Sequence, residues 1–236
     1  FGLHGTPLAR APARLSSSGT AAVTPELLRE VHQVSGVEVK RGGKNSRATA
    51  EFQGQYTRQE DLTSFFRKYV PDARPEDGTF SCFPGHCEPE GREEPGTEAM
   101  LDVEYIMGPV PGIKTEVWTF AGRAWCTDLK NWTAHVLDRD DPPLVFSVSY
   151  GIQGNVSLDK RQGCSREIAL NIEEDFVKIA ARGITLIFSS GDDGSGGELL
   201  FKTKLWPVWP GSAPHVTSVG ATRFVSGSSG QQSAVT

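Results

Sequence analysis

The chain has 236 residues, of which 37% are hydrophobic, and a formal net charge of −5. This is enough for one or two globular domains with a substantial core. The acidic balance gives no basic footprint for nucleic acid. No apolar run is long enough to cross a bilayer, and the first residues do not form a signal peptide.

The first elements read as a linker followed by two helices. Residues 1–22 are rich in Ala, Pro, Arg and Ser without periodicity, which indicates an extended linker. Thr24 as a cap and Pro25 at the first helical position predict a helix that runs to about Val34. A second helix is predicted over residues 59–69. Its apolar residues share one core-facing stripe: Leu62, Phe65, Phe66 and Tyr69.

The rest of the chain alternates between strand and helix patterns. Residues 71–95 are acidic and contain Gly and Pro throughout, which is typical of an irregular insertion. Further on, strands are predicted near residues 115–120, 144–150 and 184–189, and helices near residues 130–137 and 166–181. This alternation predicts an α/β fold with a doubly wound, mostly parallel sheet and helices on both faces.

Four cysteines and two sequons are compatible with a secreted or lysosomal protein. Cys82, Cys87, Cys126 and Cys164 allow three disulfide pairings. A local Cys82–Cys87 bridge is the simplest, leaving Cys126 for Cys164, although free buried thiols are equally compatible with the sequence. Asn131 and Asn155 both begin N-glycosylation sequons.

Two other features are ambiguous or weak. The cluster of Cys82, His86 and Cys87 has no second ligand pair at zinc spacing, so we expect no zinc site. The tryptophans Trp206 and Trp209 lie in a proline-rich segment that either lines a peptide cleft or packs against the edge of the sheet.

The most informative segment spans residues 96–105 and sets two carboxylates, Glu98 and Asp102, four residues apart. On a helix they would share one face, about 6 Å apart. If that face is buried, desolvation and mutual repulsion would raise at least one pKa, as acid or base catalysis requires. The alternative is a solvated acidic face, which the apolar flanking residues disfavour. Glu104 should lie on the opposite, solvent-facing side of this helix.

A second acidic segment follows the predicted strand at residues 184–189. The strand leads into a glycine-rich loop that carries Asp192 and Asp193. Residues just past the carboxyl end of a strand line the ligand crevice of open α/β sheets, so these acids are candidates for chemistry. Ordinary turn formation by Asp-Asp-Gly is the alternative.

The joint spacing of these motifs resembles the sedolisin family of serine-carboxyl peptidases, in particular its tripeptidyl-peptidase branch. The resemblance covers nearly the whole chain and includes residues 1–4, 23–28, 50–56, 96–107, 146–151, 180–192 and 209–222. Residues 1–22 resemble the tail of the family's propeptide, so processing is expected there. Residues 23–236 resemble the amino-terminal part of the peptidase domain.

The resemblance implies roles for three residues and a subtilisin-like fold that is incomplete at its C-terminal end. Glu98 would be the general base that accepts a proton from a serine nucleophile. Asp102 would orient Glu98, as a buried acid orients histidine in other serine proteases. Asp192 would be protonated and donate a hydrogen bond to the oxyanion. Both carboxyl roles favour acidic conditions.

The chain departs from the family pattern at three points. A Ser-Gly-Thr-Ser-type turn for the nucleophile does not occur before Thr236, and residues 226–230 read as a flexible loop. The serine would therefore come from a further segment or a second chain. The calcium site that the family places near its far C-terminal end is not expected in this chain, nor is any other cofactor. Asp193 stands where the family commonly has serine, so two acids compete for one proton.

Three hypotheses follow for function. The first is part of an acid-acting, lysosomal or extracellular peptidase, made as a zymogen and acting on peptides or proteins, with possible tripeptide release and no activity in this segment alone. The second is an inactive homologue that serves as a binding or structural module. The third is an aspartic-type hydrolase that activates water with Glu98, Asp102 and Asp192. A subtilisin-type protease does not fit, because none of the five histidines lies in the required glycine-flanked motif.

Overall fold

A computed structural model describes residues 22–91, 93–122, 124–154, 162–194, 205–226 and 232–235. The helices are α1 (Pro25–Val31), α2 (Gln59–Tyr69), α3 (Thr97–Met107), α4 (Trp125–Asp138) and α5 (Arg166–Ala181). The strands are β1 (Ser46–Phe52), β2 (Ser81–Phe83), β3 (Lys114–Phe120), β4 (Val145–Val148), β5 (Ile152–Gln153), β6 (Thr185–Ser189), β7 (Val208–Trp209), β8 (Thr217–Val219), β9 (Arg223–Ser226) and β10 (Gln232–Val235).

A six-stranded sheet in the order β2-β3-β1-β4-β6-β8 forms the centre of the fold. Every neighbouring pair in it is parallel. Strand β1 lies in the interior of the sheet and pairs with β3 on one side and β4 on the other. The carboxyl ends of these strands therefore meet at one edge, which is where open α/β sheets place their ligands.

Helices cover both faces of this sheet, which confirms the predicted doubly wound fold. Trp118 and Val117 are adjacent on β3 and point to opposite faces, and they belong to two different core clusters. The Trp118 cluster packs α4 and α5 onto the sheet through large side chains: Phe52, Trp125, Trp132, Phe146, Phe176 and Phe188. The Val117 cluster holds α2 and α3, with Leu62, Phe65, Phe66, Val103 and Met107, which confirms the predicted stripe on α2.

Three sequence-based element predictions were incomplete. Strand β1 was missed because Ser, Arg, Ala, Thr and Glu dominate it, yet all seven of its residues are buried. The predicted irregular insertion at residues 71–95 contributes the short edge strand β2. Helix α4 begins at Trp125 rather than near Lys130, because Trp125, Cys126 and Leu129 already pack in the core.

The structure contains both of the simplest disulfide pairings, Cys82–Cys87 and Cys126–Cys164. The second bridge joins α4 to the segment before α5. Asn131 is exposed on α4, while Thr133 of its sequon is buried and donates a hydrogen bond to Asp175. Asn155 lies outside the described residues, as do residues 1–21 of the linker and residues 227–231. No helix in the described ranges combines the length and apolar character needed to cross a membrane.

Arg182, just after α5, stabilises the carboxyl end of α4. Its guanidinium donates hydrogen bonds to the carbonyl oxygens of Val136, Leu137 and Arg139, at 2.9, 2.8 and 2.6 Å. These carbonyls have few helical partners because they lie in or just beyond the last turn of α4.

We expect Arg182→Gln to lower the free energy of unfolding by about 1–2 kcal/mol, since several carbonyls lose a charged donor. Urea denaturation measures the change. Arg182→Lys is the matched control: it keeps the charge but lacks the planar fork, and it should restore only part of the loss. An unchanged denaturation midpoint in Arg182→Gln would contradict this role.

Candidate active site

The loop after β1 holds the amino end of α3, the helix that carries Glu98 and Asp102. The side-chain oxygen of Gln55 accepts a hydrogen bond from the backbone N–H of Glu98 at 3.2 Å. The backbone N–H of Gly96 donates to the Tyr56 carbonyl at 2.8 Å. A Cβ on Gly96 would lie 1.9 Å from the Gln55 side-chain oxygen, so a larger residue there would displace the Gln55 amide from Glu98. The loop therefore holds the first turn of α3, which begins at Thr97 and carries Glu98.

Asp102 and Glu98 face the end of strand β4, where Ser149 lies. The Ser149 hydroxyl donates a hydrogen bond to Asp102 Oδ1 at 2.7 Å and also interacts with Glu98. Burial raises the pKa of Asp102, the Ser149 bond partly offsets that rise, and the nearby Glu98 charge adds to it. Burial also raises the pKa of the half-buried Glu98. Both residues are half-buried, so this side of α3 is not a fully solvated acidic face.

A third carboxyl group, that of Glu51 on β1, lies near Asp102. It is fully buried, and Tyr150 Oη donates a hydrogen bond to its Oε2 at 3.2 Å. Burial raises the pKa of Glu51 far above its ordinary value, and the charge of Asp102 raises it further. A neutral Glu51 is therefore the favoured form when Asp102 is charged.

Two oxygens of this group are buried and have no hydrogen-bond partner among the described residues: Glu51 Oε1 and Asp102 Oδ2. Two carboxyls whose charges repel each other in a desolvated site hold at least one proton between them. A proton on either oxygen would also relieve the cost of burying it unpaired. The pair is therefore best treated as one titrating unit.

Asp192 approaches this group from the loop that follows β6. The side chain is exposed, and its charge contributes to the raised pKa of Glu98. Asp193 is also exposed, so the structure does not bury both acids of the loop. Gln153 of β5 donates hydrogen bonds to the carbonyl oxygens of Gly194 and Trp206. These bonds connect the loop after β6 to the segment that precedes β7.

The structure thus brings together Glu98, Asp102 and Asp192, the three residues that the sequence singled out. Sequence reasoning missed Glu51, Ser149 and Tyr150 as members of the same group. The available signal for Glu51 was an acidic residue between Ala50 and Phe52 in a segment that becomes a buried strand.

The structure decides two further predictions, one for Glu104 and one for Trp209. Glu104 was predicted to face solvent, but it is half-buried. Burial and the charge of Asp61 on α2 raise the pKa of Glu104 to about 6. Of the two alternatives for Trp209, the structure supports packing: it is 7% exposed, and its indole N–H donates to Glu173 of α5 at 3.0 Å.

Chemically, the group offers a partly buried carboxylate base with a second carboxyl beside it, and an exposed acid close enough to raise the pKa of the base. In the ranges that the structure covers, no three or more His, Cys, Asp or Glu side chains are arranged to hold a metal ion. The arrangement suits proton transfer and oxyanion stabilisation by carboxyl groups.

Comparison with known proteins agrees with this description. Tripeptidyl-peptidase 1 from Mus musculus is 34% identical over 208 residues, which cover 86% of this chain and 34% of that protein. Tripeptidyl-peptidase 1 from Homo sapiens is 32% identical over 205 residues, with the same two coverages. The structure of Pseudomonas sedolisin, a serine-carboxyl proteinase complexed with two molecules of pseudo-iodotyrostatin, aligns with a TM-score of 0.65 and 20% identity. The alignment covers 91% of this chain and 58% of that one. No family model matches the chain.

The parallel α/β sheet with helices on both faces is the subtilisin-like fold of sedolisin. The chain belongs to the sedolisin family, in its tripeptidyl-peptidase branch. It spans about a third of the length of the curated relatives that it matches.

Proposed function

We propose that this chain supplies the general base, the orienting acid and the oxyanion acid of a serine-carboxyl peptidase that hydrolyses peptide bonds. The serine nucleophile lies outside residues 1–236 in this proposal, and this segment alone is inactive. The observation that carries it is the convergence of Glu98, Asp102 and Asp192 at the carboxyl edge of the sheet.

Each carboxyl has a distinct step in the reaction. Glu98, as the carboxylate, removes the proton from the serine hydroxyl as that oxygen attacks the peptide carbonyl. Asp102 holds Glu98 in place and keeps a proton available behind it, with Glu51 as its partner. Asp192 donates its proton in a hydrogen bond to the oxygen that becomes negative. Glu98 then returns the proton to the leaving amine.

Geometry supports these roles independently of the resemblance. Ser149 shows that the space beside both α3 carboxyls accepts a hydroxyl, since its own hydroxyl lies 2.7 Å from Asp102 Oδ1. Asp192 is close enough to Glu98 for its charge to raise the pKa of Glu98, which supports a shared role for the two carboxyls.

Peptide-mapping mass spectrometry of the natural protein tests the missing nucleophile. We expect peptides beyond Thr236 that contain a Ser-Gly-Thr-Ser-type turn, either in one chain or in a second chain that co-purifies. A natural protein whose corresponding turn lacks its serine would overturn the proposal.

We expect the full-length protein to be most active well below pH 7. The mechanism uses a carboxyl group as the hydrogen-bond donor to the oxyanion, and carboxyl groups lose the proton needed for this as the pH rises. The measurement is kcat/KM for a quenched fluorescent peptide from pH 3 to pH 8. A sample returned from each pH to the optimum controls for irreversible unfolding. A rate maximum at or above neutral pH would contradict the mechanism.

The proposal has four further parts: the release of tripeptides, a lysosomal or extracellular location, glycosylation at Asn131 and Asn155, and activation from a zymogen. Tripeptide release rests on the relatives named tripeptidyl-peptidase 1. The secretory route is supported by two disulfides, which persist in oxidising compartments. The exposure of Asn131 is compatible with a glycan.

A further inference from the structure

Strand β7 packs against the loop that carries Asp192, although the proposed chemistry uses none of its residues. It pairs only with β5, which places Val208 opposite Gln153. Both residues of β7 are buried: Val208 is 8% exposed and Trp209 is 7% exposed. A pairing of two short strands is marginally stable by itself, so the contacts of these two side chains must hold β7 in place.

Val208 lies between two glycines of the candidate active site. A Cβ on Gly151 would lie 2.5 Å from Val208 Cγ1, and a Cβ on Gly191 would lie 2.5 Å from Val208 Cγ2. Each methyl group of Val208 therefore occupies the space in which one of these residues would carry a side chain. Gly151 lies two residues after Ser149, and Gly191 directly precedes Asp192. Val208 is thus a spacer between the segment that follows β4 and the loop that follows β6.

The backbone of the loop after β6 determines where Asp192 lies. In the part of the chain that the structure describes, the Asp192 side chain is exposed and forms no hydrogen bond or ion pair. The loop itself is held on both sides of Asp192. The N–H of Ser190 donates to the Val219 carbonyl at 2.9 Å, and the Gln153 amide donates to the Gly194 carbonyl at 3.0 Å. Between these two hydrogen bonds, the loop packs against Val208 at Gly191.

Other elements fix the position of Val208. The neighbouring Trp209 belongs to the core cluster that packs α4 and α5 onto the sheet, and its indole N–H donates to Glu173 of α5 at 3.0 Å. The turn after β7 lies against the end of β6, since a Cβ on Gly211 would lie 2.8 Å from the Ser189 carbonyl oxygen. Val208 is therefore attached to the rigid part of the fold, and the loop that carries Asp192 rests on it.

We propose that Val208 is a positioning residue for Asp192, the oxyanion acid of the proposed reaction. By filling the space between Gly151 and Gly191, it sets how far Asp192 lies from the α3 carboxyls. This role rests on the proposed peptidase function. A catalytic donor must be held within about 0.5 Å of its productive position, and a close-packed side chain resists movement of the loop towards it.

Steady-state kinetics of Val208→Ala in the full-length protein test this role. Alanine removes both methyl groups and leaves a gap into which the loop can move. Because the bond from Asp192 gains strength only as the oxygen becomes negative, we expect kcat to fall about 10-fold and KM to change less than about twofold. Val136→Ala, which removes the same two methyl groups from a buried position on α4, is the matched control and should keep kcat within about twofold.

Val208→Thr separates position from stability. Threonine keeps the branched shape of valine but buries a hydroxyl group, so it should unfold at a lower urea concentration than the wild type. Because both branches still fill the space between the glycines, we expect its kcat to remain within about threefold of the wild-type value. A kcat as low as that of Val208→Ala would show that stability, rather than position, governs the rate.

Inhibition by a matched pair of peptides distinguishes the oxyanion acid from the rest of the cleft. The carbonyl carbon of a peptide aldehyde bonds to the oxygen of the serine nucleophile, and the electron pair of the C=O bond moves to the aldehyde oxygen, which then occupies the oxyanion position. The corresponding peptide alcohol cannot form this bond. We expect Val208→Ala to weaken inhibition by the aldehyde about 10-fold and to leave inhibition by the alcohol unchanged. Equal weakening of both would overturn the proposal.

A double variant tests whether Val208 acts through Asp192. In the Asp192→Ala background the group to be positioned is missing, so adding Val208→Ala should lower the residual kcat by no more than about twofold. A further loss of about 10-fold there, or wild-type kinetics in Val208→Ala alone, would overturn this role and leave the peptidase function standing. A wild-type full-length protein that neither cleaves peptides nor binds the aldehyde more tightly than the alcohol would overturn both.

Discussion

We expect Glu98→Gln in the full-length protein to lower kcat/KM by about 10³-fold or more. Glutamine matches glutamate in shape but cannot accept the proton of the serine hydroxyl. The loss should fall on kcat, because the amide keeps the size of the side chain and the substrate contacts around it. Steady-state kinetics at the acidic optimum measure it.

Glu104→Gln is the matched control for this variant. Glu104 lies on the same helix α3, is half-buried, and has a pKa raised to about 6 by burial and by Asp61, but it has no contact with Ser149 or Asp192 in the described residues. We expect it to retain wild-type kinetics within a few-fold. Both variants should unfold at similar urea concentrations. Wild-type rates in Glu98→Gln would remove Glu98 from the mechanism, and equal losses in both variants would indicate a general defect of α3.

Sequence patterns could predict the parts of the fold whose burial is one-sided or strongly apolar. The stripe of Leu62, Phe65 and Phe66 defined α2, and the apolar run before Ser189 defined β6. Strand β1 could not be predicted from hydrophobicity, because its buried polar residues form hydrogen bonds in the interior instead of contributing apolar surface. Arg47, for example, donates to Thr115 and to the Val110 carbonyl. A prediction from hydrophobic periodicity does not take such hydrogen bonds into account.

The candidate site divides in the same way. Glu98 and Asp102 could be predicted because their spacing is local, fixed by one turn of helix. Glu51 and Ser149 join the site through the pairing of β1 with β4, which brings together residues 98 positions apart. Sequence separation of this kind leaves no spacing rule to read, so the structure was needed to find these residues.

We expect the protein to lose stability as the pH rises from about 4.5 towards neutral, and Glu51→Gln to remove much of that loss. Burial and the charge of Asp102 hold the pKa of Glu51 above its ordinary value, and Asp102 is raised as well. The folded state then binds more protons than the unfolded state between the ordinary and the raised pKa, so stability is full below that range and declines through it. Because one pKa unit corresponds to about 1.4 kcal/mol, the decline should be on the order of 2–4 kcal/mol.

Thermal melting of the full-length protein at pH 4.5 and pH 7.5 measures this slope. This pH range avoids the opposite effect of carboxyls whose pKa is lowered by folding. Hydrogen bonds from Arg41 hold the pKa of Asp77 low, so the stability that Asp77 contributes is lost only below about pH 4. Glu167→Gln, at an exposed carboxyl of α5, is the matched control and should keep the wild-type slope. Asp102→Asn should flatten the slope only in part, because burial, the largest cause of the raised pKa of Glu51, remains in that variant. A slope in Glu51→Gln as steep as in the wild type would show that Glu51 and Asp102 do not share a proton.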